Sequence, residues 1–89
     1  MRKPDFTGQF KRDFKKSESR GLNMAKLEAI MALLLADGPL PARCKDHPLR
    51  GNWKGFRELH IEPDWLLIYK VIGDIVEFSR TGTHSELFD

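Results

Sequence analysis

Five residues of this sequence carry chemistry that a plain scaffold does not need: His47, His60, Asp64, Arg80 and His84. His60 ends one apolar run, and Asp64 follows Glu62-Pro63 in the turn before the next. His47 stands in a cation-rich loop, and Arg80 and His84 follow the last apolar run. Strand ends joined by a tight turn are rigid places on which to mount an imidazole and a carboxylate. If the last two strands pair antiparallel, Arg80 leaves the sheet at the end occupied by the His60–Asp64 turn. The set then matches what cleavage of RNA by its own 2′-hydroxyl requires: a base for the 2′-OH proton, an acid for the leaving 5′-oxygen, and a cation for the phosphorane. Histidine titrates nearest neutral pH, so two imidazoles can act in opposite protonation states. Arginine offers phosphate a bidentate fork. Phe88 or Trp65, at the site edge, can stack on a base.

Each residue also has a plainer reading. Asp64 can cap its turn, Arg80 can pair with Glu77 or Glu58 across the sheet, and Trp53 and Trp65 can be core or rim. Three histidines and an aspartate could ligate zinc, but there is no close His-x₃-His or Cys pair, so acid–base use ranks above metal. No metal and no cofactor is expected. The clustering, more than any single residue, carries the functional reading.

The positioning elements follow from pattern. Arg2–Phe6 reads as a short edge strand, since Pro4 is tolerated there. Thr7 caps a helix over Gly8–Arg20, with Phe10 and Phe14 inward, Lys11, Arg12, Asp13, Lys15 and Lys16 on solvated faces, and Gly21 as the stop. Asn23 caps a second helix whose stripe is Met24, Leu27, Ile30, Met31 and Leu34. It ends near Asp37, with Gly38 in the left-handed position. A functional loop runs from Pro39 to Asn52. Strands are expected at Trp53–Ile61, Trp65–Ile72 and Ile75–Ser79, the last two joined by Gly73-Asp74. Ser85–Asp89 reads as a tail. The fold class is α+β: two N-terminal helices as a hairpin on a small, mostly antiparallel twisted sheet of about four strands, one domain over residues 1–89.

Composition sets bounds. At 89 residues the chain is near the lower limit for an unstapled core. A net charge of +2 and a pI near 8.9 are compatible with nucleic acid without requiring it. Cys44 is alone, which excludes an internal disulfide and fits a reducing cytoplasm. No apolar run reaches bilayer length, and the N-terminus has no export pattern, so no membrane partner is expected.

Four blocks in order resemble the YafQ branch of the RelE-type bacterial toxins. They are Lys45-Asp46-His47-Pro48-Leu49, Gly51-x-Trp53-Lys54-Gly55-x-Arg57, His60-x-Glu62-Pro63-Asp64-Trp65-Leu66-Leu67-Ile68-Tyr69, and Arg80-Thr81-Gly82-Thr83-His84-x-x-Leu87-Phe88. The resemblance covers essentially the whole chain. It implies a small microbial ribonuclease fold that cleaves mRNA in the A site of the 70S ribosome, without metal, leaving a 2′,3′-cyclic phosphate or 3′-phosphate and a 5′-hydroxyl. It assigns acid–base and orienting roles to His47, His60, Asp64 and His84, phosphorane stabilisation to Arg80 and base stacking to Phe88; Trp65 matches the family's tryptophan beside the aspartate. Which histidine is base and which is acid stays open. Lys45, Arg50, Lys54 and Arg57 are the further cations expected to meet RNA. The implied partner is a cognate antitoxin of ribbon-helix-helix type with an acidic C-terminal segment, which docks on helix one and the strand edge and through which operator DNA is bound. The alternative is a non-enzymatic module on the same scaffold, either a gyrase poison or an antitoxin co-repressor. A ribosome-independent RNA-processing domain is a third reading.

Overall fold

A computed structural model describes residues 1–88. Strand β1 (Lys3–Phe6) leads into helix α1 (Gly8–Ser19) and helix α2 (Met24–Leu35). A loop with two short 3₁₀ turns (Ala42–Cys44 and Gly51–Trp53) brackets β2 (His47–Pro48). Then come β3 (Arg57–Glu62), β4 (Trp65–Ile72), β5 (Ile75–Gly82) and α3 (His84–Phe88). One five-stranded sheet has the order β1-β5-β4-β3-β2, antiparallel except where β1 runs parallel to β5. The strand count exceeds the expected four because the loop supplies β2, two residues long and below the reach of any periodicity. Trp53 correspondingly lies in a 3₁₀ turn, not in a strand.

Local chemistry explains the helix ends. Thr7 Oγ1 accepts the Phe10 N–H at 2.9 Å and Asn23 Oδ1 accepts the Ala25 N–H at 3.2 Å, the two N-caps read from sequence. At the end of α2 the left-handed residue is Asp37 (φ 54°), not Gly38. The Gly38 N–H then reaches back to Leu33 O at 2.9 Å, closing the six-to-one bond of a Schellman ending one residue earlier than expected.

The core lies between the helix pair and the sheet. Leu27, Ile30 and Leu34 of α2 and Phe10 of α1 meet Leu59, Ile61, Leu67, Tyr69, Val76 and Phe78. Each fully buried aliphatic side chain contributes about 1.5–3 kcal/mol, so the face toward the helices is where stability concentrates. The other face of the sheet is closed only partly. Leu66, Ile68 and Leu87 form a smaller cluster beneath Leu49, Trp53 and Phe56. That half-open face carries the site.

Candidate active site

Residues two apart on a strand share a face. On β3 this puts Glu58 and His60 together, opposite the core residues Leu59 and Ile61. His47 of β2 stands across the ladder from Glu58. The Nε2 atoms of His47 and His60 lie 3.7 and 3.8 Å from the same Glu58 oxygen, and Glu58 is only 5% exposed. His84, the first residue of α3, brings its ring to 5.7 Å from that of His60, centre to centre. Four side chains from three separate segments thus converge.

Each imidazole is held from its Nδ1 side. His47 Nδ1 is 2.7 Å from Lys45 O, His60 Nδ1 is 3.3 Å from Pro63 O, and His84 Nδ1 is 2.7 Å from Asp64 Oδ1. Carbonyl and carboxylate oxygens only accept, so Nδ1 carries the proton in all three rings. Nε2 is left as the atom that exchanges protons. Lys45 takes a left-handed conformation (φ 49°), which follows the 3₁₀ turn immediately before His47. Asp64 also accepts the His84 backbone N–H at 3.0 Å, and these two bonds from His84 hold its carboxyl below the usual range.

The loop bearing His47 is anchored one residue earlier. Asp46 accepts the Tyr69 hydroxyl at 2.5 Å and pairs with Arg57 at 2.9 Å. Burial, reinforced by Asp46, pushes the Tyr69 phenol above its ordinary range, so it remains a donor. Arg57 therefore serves as a strut for the His47 loop, on the helix side of the sheet. Its expected RNA contact is corrected to this internal one.

Two further expectations change. Trp65 is 3% exposed and donates its indole N–H to Thr81 Oγ1 at 3.0 Å, so it is a core residue and offers RNA no face. Arg80 does not enter the imidazole group: its Nε and Nη2 bind Asp13 of α1 at 2.9 and 3.2 Å. Asp13 is buried, and so the face of α1 read as solvated is partly an interior strut. Arg80 pairs in the ladder with Ile68, which pairs with Glu58, placing it two strands (about 10 Å) from the cluster. Phe88 is 41% exposed and edge-on to Trp53 at 6.0 Å, free to receive a base. Lys45, Arg50 and Lys54 are exposed around the same rim.

Glu58 is the member of this cluster that the sequence did not single out. The signal was present, since Glu58-x-His60 on a strand puts both side chains on one face. With His84 from α3, these two residues form a group that could hold a metal ion, without any His-x₃-His spacing: Glu58, His60 and His84 each offer an atom within 4.8 Å of the others.

Fold and site together define a small α+β protein with a histidine–carboxylate cluster on the half-open face of its sheet. Residues 2–89 match the family described as the bacterial toxin of type II toxin–antitoxin system, YafQ, and the chain belongs to that family. It is 49% identical over 85 residues to the mRNA interferase toxin YafQ of Escherichia coli K12, covering 94% of this chain and 92% of that one. It superposes with a TM-score of 0.93 on YafQ in the E. coli DinJ-YafQ complex, at 48% identity and full coverage of both chains. The TM-score is also 0.93 against a metal-bound toxin from Helicobacter pylori, at 36% identity, covering 99% and 100% of the two chains. The partner of a type II toxin is its antitoxin, as DinJ is for the E. coli protein.

Proposed function

We propose that this YafQ-family toxin is an endoribonuclease that cleaves mRNA in the ribosomal A site by acid–base attack of the 2′-hydroxyl, and so stops translation in the cytoplasm. The observation that carries the reading is the convergence of three Nδ1-anchored imidazoles on one buried carboxylate. The 2′-oxygen attacks phosphorus, and its proton passes to the side of the site where His47, His60 and Glu58 meet. The P–O5′ bond breaks, and the 5′-oxygen takes the Nε2 proton of His84 in its doubly protonated, imidazolium form. The Asp64 carboxylate orients this ring, which is left neutral with its proton on Nδ1. The products are a 2′,3′-cyclic phosphate and a 5′-hydroxyl. Phe88 stacks on a neighbouring base, and Lys45, Arg50 and Lys54 meet phosphates.

Three of the converging side chains favour a second property. Imidazole and carboxylate suit copper or zinc, and Glu58, His60 and His84 would hold such an ion by the atoms that the cleavage uses. Bound metal then blocks the reaction. One assay tests both statements. Purified protein with programmed ribosomes should cut the message at fixed codon positions, leave naked RNA of the same sequence intact, keep full rate in EDTA, and lose it on titration with Cu²⁺ or Zn²⁺. Equal cutting of naked RNA would remove the ribosome from the mechanism. Abolition by EDTA would make the ion a cofactor instead. Growth arrest accompanied by a DNA damage response, with messages intact, would favour a gyrase poison.

The antitoxin is, in this reading, a ribbon-helix-helix protein with an acidic C-terminal segment, which brings the pair to operator DNA. Phe6, Phe10, Phe14 and Met31 line a groove beside the exposed edge β1, with Lys11, Lys15 and Glu28 also among its lining residues, and the two lysines suit an acidic amphipathic segment. Lys16, expected to share this role, is instead paired with Glu86 at 2.7 Å. The double variant Lys11→Glu/Lys15→Glu should weaken the complex at least tenfold by isothermal titration; unchanged affinity would place the antitoxin elsewhere.

A further inference from the structure

Helix α3 carries both His84 and Phe88, yet it has only five residues. Isolated helices shorter than about 12–15 residues are marginal in water, so something outside α3 must hold its first turn. Thr83-x-x-Glu86 forms a reciprocal box. The Glu86 N–H donates to Thr83 Oγ1 at 3.1 Å, and the Thr83 N–H donates to Glu86 Oε1 at 3.0 Å. The Glu86 carboxylate is gripped from the other side by α1. Arg20 Nη1 and Nη2 reach its two oxygens at 2.9 and 2.6 Å, and Lys16 Nζ lies 2.7 Å away. Gly82 permits this approach: a Cβ there would stand 3.1 Å from Glu86 Oε1. Arg20 first, then Lys16 and the Thr83 amide, hold the Glu86 carboxyl far below the usual range.

We propose that Glu86 is a positioning residue for the acid arm: clamped by Arg20 and Lys16 and boxed with Thr83, it locks the first turn of α3 so that His84 keeps its Nδ1–H on Asp64 and presents Nε2 as the atom that carries the donated proton. The proposal rests on the reading of His84 as the proton donor. Asp13 and Lys16 of α1 and its C-cap Arg20 are spaced along one side of the helix, so a single element holds Arg80 through Asp13 and steadies His84 through Glu86. An exposed ion pair contributes little to overall stability, and this one is open on its cationic side: the Arg20 and Lys16 side chains are 42% and 58% exposed, against 22% for Glu86. The bidentate fork and the box fix orientation instead. A displacement of about 1 Å at a reacting group is enough to lower a rate a hundredfold.

The test compares Glu86→Ala, Glu86→Gln and Arg20→Gln with the parent in ribosome-bound cleavage, alongside ¹⁵N spectra of the His84 ring. Glu86→Ala should lower kcat roughly tenfold to a hundredfold, leave KM and the thermal midpoint nearly unmoved, and shift the His84 ring from a single Nδ1–H tautomer to an averaged signal. Glu86→Gln keeps the box and should recover most of the rate; Arg20→Gln should fall between. Wild-type rate with an unchanged ring signal in Glu86→Ala would overturn the proposal, and so would a lost rate with an unchanged ring signal. Undiminished cleavage by His84→Ala would overturn the underlying reading of the acid, whereas the ring spectra of Glu86→Ala judge the clamp without reference to activity.

Discussion

Replacing His84 with alanine should lower cleavage of ribosome-bound mRNA by about 10²–10⁴-fold, the range that general acid–base groups contribute. His84 is the imidazole best isolated for one task. Its backbone N–H and its Nδ1–H bind the same Asp64 oxygen, so the carboxylate is fixed on the backbone of His84 and the ring cannot swing without losing the Nδ1 bond. Its side chain is 52% exposed, so its removal leaves no buried group without a partner. The thermal midpoint should therefore stay within a few degrees of the parent, and growth arrest on expression should vanish while the circular dichroism spectrum persists. Single-turnover cleavage and a thermal melt on the same preparation are the measurement. A variant as toxic as the parent would show that the leaving 5′-oxygen takes its proton from elsewhere.

The site was legible in the sequence where chemistry and turn signals coincide. His60 and Asp64 flank Pro63, and their neighbourhood follows from a two-residue turn between strands. His47 and His84 were picked out by residue type and by the end of the sheet they leave, while their specific roles came from the resemblance, because no local rule brings residue 47 or 84 to residue 60. Glu58 went unread for a different reason: a glutamate in a strand is ordinary until the strand's inward and outward faces are known. Trp65 shows the converse error. Its place beside Asp64 suggested a base platform, but alternation on β4 turns it toward Thr81 and the core.

The fold was legible at the helix caps, the α2 stripe and the Gly73-Asp74 turn, where the cause lies within a few residues. It was not legible where partners are distant or elements very short. Strand β2 has two residues and contains Pro48, and α3 is too short to show a period, although its Thr83–Glu86 box was readable. The charges on α1 looked like a solvated face because their partners, Arg80 and Glu86, come from more than sixty positions later in the chain. Asp89 of the expected tail lies outside the described residues.

That last misreading leads to the largest expected loss of stability. Asp13 is 7% exposed and accepts four bonds: from Arg80 Nε and Nη2, from the Thr81 N–H at 3.2 Å, and from Gln9 at 3.0 Å. Truncating it to alanine leaves a guanidinium and a strand amide facing an apolar space. Removing one partner of a fully buried pair costs about 3–5 kcal/mol. Arg80 retains 24% exposure, so water recovers part of its solvation and the loss should be lower, about 2–3 kcal/mol. For a domain of this size each kcal/mol moves the midpoint by about 4–8 °C, so Asp13→Ala should melt roughly 10–20 °C below the parent. The double variant Asp13→Ala/Arg80→Ala separates the causes. With no orphaned guanidinium it should be less destabilised than the sum of the single variants, because residues in contact couple. A midpoint within about 3 °C of the parent for Asp13→Ala would mean that α1 is held to β5 by Phe10 and Phe14 alone, and that Arg80 is free to reach RNA unaided.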